Sequence, residues 1–165
     1  MDKSNFPVTP AVRVLRNKRV KFEPYLYGYE ERGGTRRSAE ELNVDEHSVI
    51  KTLVMETDAR EPLIVLMHGD KEVSTKELAR TIGVKSVMPC DPAVAQKHTG
   101  YQVGGTSPFG TRKSLKVYAE TTIFDLPTIF INGGKRGFLV SLDPNDLKTV
   151  LPITEVNVAI EGRRA

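Results

Sequence analysis

The sequence predicts a mixed α/β fold, a single domain spanning residues 1–165. Three observations lead to it. Apolar runs of strand length recur along the chain, and short segments between them open on helix-capping residues. The two kinds also alternate too irregularly for a doubly wound βαβ sheet. A chain of 165 residues buries a core without help from metal or disulfide.

The first helix opens at Thr9-Pro10: threonine caps, and proline takes the first helical position, where its missing N–H costs nothing. Val12, Val14 and Leu15 supply its apolar stripe, and it ends near Asn17. Residues 20–29 read as a strand, with Val20, Phe22, Pro24 and Leu26 on one face. Residues 31–37 read as a charged loop, Ser38 and Glu41 as a capping box for a short helix through Leu42, and Asp45 as the start of another helical turn. Residues 50–55 and 62–68 are strands joined by the turn 58–61, which makes them an antiparallel pair. Ser74 and Glu77 form a second capping box, opening a helix over 75–82 that Gly83 ends. Val87-Met88 reads as a short strand. Asp91-Pro92 starts a helix that stops at Gly100, and residues 101–110, with Gly104, Gly105, Pro108 and Gly110, form a loop. Residues 115–119 and 128–132 are strands, and Gly133-Gly134 turns the second into a hairpin with 137–142. Asp143-Pro144 starts a helix reaching Leu151, and residues 153–160 alternate as one final half-buried strand. There are no internal repeats and no low-complexity tract.

Composition narrows the function classes. With 39% hydrophobic and 27% charged residues, the chain is neither disordered nor collagen-like nor a coiled-coil rod. Its longest unbroken apolar run, residues 63–67, is far short of the roughly 20 needed to cross a bilayer. Residues 1–10 hold no apolar stretch of signal-peptide type, so a cytoplasmic protein is expected. Cys90 is the single cysteine, which excludes an internal disulfide and a cysteine-rich zinc site. The net charge of +3 permits a polyanionic partner without demanding one. Basic residues crowd the first helix and its exit (Arg13, Arg16, Lys18, Arg19, Lys21), and Lys135 with Arg136 flank the glycine turn.

Several motifs fail when tested. The stretch from Gly105 begins like a G-x-S-x-G nucleophile elbow, but Phe109 stands where the second glycine belongs. It also begins like a phosphate-binding loop, yet Thr111-Arg112 replaces the required lysine and hydroxyl residue. His47, His68 and His98 have no metal-binding spacing, and no metal site is expected. Cys90 precedes a helix N-terminus, which can lower a thiol pKa, but a small half-buried structural thiol is the expected reading. Two features stay unusual. Lys51 shares its strand face with Leu53 and Met55, so it either snorkels outward at the strand end or meets an anion. The loop around Gly104 and Gly105 is either a surface turn or a place where backbone N–H groups approach an oxyanion or phosphate.

Thr9-Pro10-Ala11-Val12 and Lys51-Thr52-Leu53 carry a resemblance. So do Asp91-Pro92, Val94-Ala95-Gln96, Thr99-Gly100-Tyr101, Val103-Gly104-Gly105, Ser107-Pro108 and Gly110, and Gly133-Gly134-Lys135-Arg136-Gly137. In that order they resemble the YbaK family, free-standing aminoacyl-tRNA deacylases related to the editing domain inserted in bacterial prolyl-tRNA synthetases. The resemblance runs from about Thr9 to Val158. It implies a barrel-like core of about six mixed strands surrounded by helices. It also implies trans-editing deacylation of mischarged tRNA, above all Cys-tRNA(Pro), by substrate-assisted cleavage with no metal or cofactor. Aminoacyl-tRNA is the implied partner, together with prolyl-tRNA synthetase.

By the same resemblance Lys51 and Gly104 take the catalytic positions, and Tyr27, Thr52, Gly105, Ser107 and Asn132 the substrate-binding ones. Tyr29 shares the face of Tyr27 and is the alternative pocket tyrosine. Arg13, Arg16, Lys113, Lys135 and Arg136 are the candidates for tRNA contact. Two positions depart from the cysteine-specific branch, which has serine at Asn132 and aspartate at Leu139. They leave open a sister specificity for alanine or serine, and a non-catalytic tRNA-binding or synthetase-accessory role.

Overall fold

The computed structural model describes residues 5–162. In chain order the elements are α1 (Pro10–Asn17), β1 (Glu23–Leu26), α2 (Gly34–Leu42), a 3₁₀ turn (Glu46–Ser48), β2 (Val49–Thr57), β3 (Pro62–His68), β4 (Lys71–Val73), α3 (Thr75–Ile82), β5 (Val87–Pro89), α4 (Pro92–Thr99), β6 (Lys116–Glu120), a second 3₁₀ turn (Thr121–Asp125), β7 (Ile129–Lys135), β8 (Phe138–Leu142), α5 (Asp146–Val150), β9 (Ile153–Val156) and β10 (Ala159–Glu161). The main sheet runs β1-β8-β7-β2-β3-β6-β9, with β5 added beside β2, while β4 and β10 form a separate ribbon. Eight strands in the main sheet exceed the six or so expected. The pairings β2·β7, β3·β6 and β6·β9 are parallel and the others antiparallel, so the architecture is mixed α/β.

Both faces of the sheet are covered, which is why β3 is buried along nearly its whole length. One face packs Ile50, Ile64, Leu66, Ile129 and Ile131 against Ala11, Val12 and Leu15 of α1, with Phe109 and Leu147. Met55, Val65 and Met67 meet Leu78 and Ala79 of α3, and Val49 and Leu139 meet Ala39 of α2. Two helix starts are as expected: the Thr9 hydroxyl accepts from Val12 N–H at 3.1 Å and the Ser74 hydroxyl from Glu77 N–H at 3.2 Å. Gly83 closes α3 in the left-handed region at φ 77°.

Several local expectations give way to long-range contacts. Ser38 does not cap α2. The helix begins at Gly34, and the Ser38 hydroxyl donates back to the Thr35 carbonyl at 3.1 Å, a bond a serine makes equally well inside a helix. The first strand is shorter than residues 20–29, because Val20 N–H is spent closing α1 on the Leu15 carbonyl at 2.9 Å. Gly133 and Gly134 do not turn the chain; they stay in β7 as a bulge, and the reversal falls at Arg136 and Gly137. The helix expected from Asp143 begins at Asp146, because the Asp143 carboxylate first closes a turn on Asn145 N–H at 2.9 Å. The last strand is two. Buried Glu120 draws the N–H groups of Val158 and Ala159 onto Oε1 at 2.7 and 3.1 Å, which ends β9 and sends β10 to β4.

Candidate functional site

The site arises from a gap in the sheet. On one side β2 is paired with β3 from Ile50 to Glu56. On the other, β7 pairs only with Val49 and Ile50, and β5 only with residues 55–57. Residues 51–53 therefore present an open strand edge, since the Val54 carbonyl accepts from Cys90 N–H at 3.1 Å, and a cavity of about 620 Å³ lies against it. A strand seen edge-on offers side chains from both of its faces to one space. Lys51 and Thr52, adjacent and pointing oppositely, thus both line the cavity, with Tyr27 and Tyr29, residues of α2, Cys90, Gly104 and Asn132.

Lys51 is half-buried, and its Nζ donates to the Lys71 carbonyl of β4. Burial pulls its pKa below the ordinary lysine value, while Glu72, Glu46 and Asp70 push it back up. The Thr52 hydroxyl is buried without a hydrogen-bond partner, a state that costs free energy until something polar meets it. Burial raises the Tyr27 phenol, Tyr29 adds to the shift and Ser38 opposes it, so Tyr27 keeps its proton as a donor. Cys90 lines the same cavity, and burial, helped by Glu56 and Asp91, pushes its thiol up to about 11. The helix behind it does not activate it.

The glycine loop is docked onto the β7–β8 hairpin. Gly104 lines the cavity at φ 85°, and a Cβ there would come within 2.5 Å of the Tyr29 hydroxyl. Gly105 faces the hairpin instead: a Cβ would meet Arg136 N at 2.7 Å, and its own N–H is spent on the Gln102 carbonyl at 2.9 Å. Ser107 is fully buried away from the cavity, its hydroxyl accepting from Phe109 N–H at 3.1 Å. Asn132 uses both ends of its amide on backbone. Nδ2 donates to the Gly104 carbonyl at 3.2 Å, and Oδ1 accepts from the N–H groups of Gly134 and Lys135 at 2.7 and 3.1 Å. Its amide joins the bulge to the loop. Leu139, 4% exposed, is an apolar part of the wall.

The basic candidates are less concentrated. Arg13 and Arg16 are exposed on α1, which packs on β7, and the Thr9 hydroxyl bonds the Gly133 carbonyl at 2.5 Å. Lys135 and Arg136 are exposed at the hairpin tip, and Arg136 alone of the five lines the cavity. Lys113 is exposed beyond α4, its N–H on the His98 carbonyl at 2.9 Å. Sequence reasoning passed over Cys90, Arg37 and Ser38 as cavity residues. Only the approach of α2 and the end of β5 to the open edge brings them there.

Residues 31–150 match the family model of the aminoacyl-tRNA editing domain. The chain belongs to the aminoacyl-tRNA editing domain family. An Enterococcus faecalis protein with the provisional name Cys-tRNA(Pro)/Cys-tRNA(Cys) deacylase EbsC is 29% identical over 137 residues, covering 82% of this chain and 84% of that one. A proline–tRNA ligase of Brachyspira hyodysenteriae is 24% identical over 121 residues, 73% of this editing-domain chain but only 20% of the ligase. Among solved structures, one provisionally described as a trans-editing enzyme for prolyl-tRNA synthetase superposes with a TM-score of 0.79 at 17% identity. It covers 93% of this chain and 99% of the other, a likeness of fold. No helix among the described residues is long and apolar enough to cross a membrane.

Proposed function

We propose that this editing-domain protein removes the amino acid from mischarged tRNA in trans, with Cys-tRNA(Pro) as its leading substrate. The observation that carries the reading is the convergence of Lys51, the unsatisfied Thr52 hydroxyl and Gly104 on one cavity at an open strand edge. The similarity to EbsC supports the choice of cysteine.

The chemistry asks little of the protein. In a cysteinyl ester the substrate's own thiolate attacks the ester carbonyl. A C–S bond forms, the C–O bond to the terminal ribose breaks, and the ribose oxygen takes up the proton the thiol gave. The product is a thiolactone. Cys90, with its thiol held near 11, is protonated at neutral pH and is no competing nucleophile. The chain's task is to hold the ester so that thiol and carbonyl meet, and to stabilise charge on the carbonyl oxygen. Lys51 supplies the charge from a half-buried position where water screens it little. The Thr52 hydroxyl and the backbone at Gly104 supply polar contacts to the aminoacyl end.

One observation favours a neighbouring specificity. Leu139 offers no hydrogen bond, and the Asn132 amide is already engaged with backbone, so this wall suits alanine as well as cysteine. Side-by-side deacylation of Cys-tRNA(Pro), Ser-tRNA and Ala-tRNA tests both readings. Faster loss of cysteine than of the others is the expected outcome. Preference for alanine moves the substrate, and tRNA retained in a gel shift with every ester intact makes the protein a binder.

A further inference from the structure

We infer that Tyr29 and Arg136 form a stacking platform for the terminal base of the tRNA acceptor end, an inference that rests on reading the cavity as an aminoacyl-tRNA site. Tyr29 lies on the cavity rim with 37% of its surface exposed. The Arg136 guanidinium stands over its ring, 5.0 Å from the centroid, and its Nε donates to the Val103 carbonyl at 2.8 Å. Ring and carbonyl together fix the plane of the guanidinium. Among the described residues no carboxylate pairs with Arg136. Arg37, also on the cavity wall, is by contrast matched by Glu30 at 3.4 Å and Glu41 at 3.0 Å. Arg136 thus keeps an uncompensated charge on a flat, oriented group.

Geometry names the occupant. The amino acid is esterified to the terminal ribose, so an ester beside Lys51 and Gly104 places the attached base one sugar away, at the rim. Tyr29 adjoins that position, since a Cβ on Gly104 would stand only 2.5 Å from its hydroxyl and 2.9 Å from its ring. An aromatic ring with a guanidinium plane on it is the surface on which unpaired bases stack, independent of their sequence. A phosphate alone would be served by a mobile point charge and needs no oriented plane.

The probe is an uncharged acceptor-stem minihelix carrying 2-aminopurine as its 3′-terminal base. The protein has no tryptophan, so the fluorescence reports the base. The wild type should quench it on binding. Tyr29→Leu and Arg136→Ala should each weaken binding about tenfold, with Tyr29→Phe close to wild type. Arg136→Lys, which keeps the charge and loses the plane, should be nearly as weak as Arg136→Ala. Circular dichroism checks each fold, and a Tyr29→Leu that fails to fold is replaced by Tyr29→Ser. No quenching by the wild type, or wild-type affinity in either Tyr29→Leu or Arg136→Lys, overturns the platform. Deacylation by the wild type is measured alongside. Quenching without turnover of any charged tRNA overturns the proposed function and leaves the platform, and turnover without quenching does the reverse.

Discussion

Lys51 is held between two demands. Burial disfavours its charge, while Glu72, Glu46, Asp70 and the Lys71 carbonyl favour it. Such a balance suits a cation that must stay charged yet act in a poorly screened site. An amine attacking the ester would end as a stable amide, so an electrostatic role fits better than a nucleophilic one. Lys51→Ala should lower the rate of deacylation by about a hundredfold or more with the fold intact, as removal of one preorganised electrostatic contact does. Lys51→Arg should restore little, because the planar fork does not occupy a point-charge site. A Lys51→Ala rate within about threefold of wild type would return Lys51 to a strand-end lysine satisfied by backbone. The pH profile carries the same logic. Because the folded pKa lies below 10.5, activity that needs the ammonium should fall on the alkaline side before an ordinary lysine would titrate, once spontaneous ester hydrolysis is subtracted.

At the scale of elements, the docking of the glycine loop on the β7–β8 hairpin decides whether the site exists. The closest atoms to a Cβ at Gly105 are backbone of Lys135 and Arg136, which cannot swing aside as a side chain would. Gly105→Ala should therefore push the loop off the hairpin, costing about a hundredfold in kcat through misplacement of Gly104. Its thermal unfolding temperature should drop, and an unchanged kcat would show that the loop is not positioned by this contact. A second element contact sets the pH dependence of stability. His68 is buried at the end of β3; Nδ1–H donates to the His47 carbonyl at 2.8 Å, and Nε2 accepts from the Thr122 hydroxyl at 2.7 Å. It therefore ties the two 3₁₀ turns to the sheet as a neutral ring. Burial lowers its pKa and the stacked His47 ring adds to the shift, while the hydrogen bond to the His47 carbonyl, then Asp70 and Glu120, oppose it. A base depressed in the folded state binds fewer protons there than in the unfolded chain. Its stabilising share is thus complete above about 6.5 and lost as pH falls toward the lowered value. Unfolding temperature measured from pH 8 to 5 should decline below that point, and His68→Gln should show a shallower decline.

With tRNA as the proposed substrate, the question for the whole molecule is how a small basic excess would hold so large a polyanion. A net charge of +3 cannot do it by field alone, so the contacts must be local and few. The α1 contact with β7 and the seat of Gly110 on the Pro10 carbonyl bring the start of α1 toward the hairpin that carries Lys135 and Arg136. Reversing Lys135, the hairpin-tip cation that takes no part in the stacking platform, should weaken tRNA binding and reduce the slope of log K against log salt by about one. An unchanged slope in a filter-binding titration would place the phosphates elsewhere on the surface.

What the sequence determined by itself was whatever a few neighbouring residues decide. Thr9, Ser74 and Gly83 cap their helices because capping bonds close over three or four residues. The strand 62–68 forms because an apolar run of that length belongs inside a sheet. Lys51 could be recognised as anomalous from its row of apolar neighbours alone. Tertiary structure decided the rest, because the competing local outcomes were close in energy and a distant group chose among them. Ser38 with Glu41 is as compatible with a helix interior as with a helix start, and α2 is placed by the packing of Ala39 on Val49. Gly133 and Gly134 could turn or bulge, and Phe138 with Asn132 made them bulge. Glu120 divided the last strand from a position 38 residues away. The open edge of β2 exists only because β7 and the end of β5 each stop pairing short of residues 51–53, and no pattern within those residues records where their neighbours end.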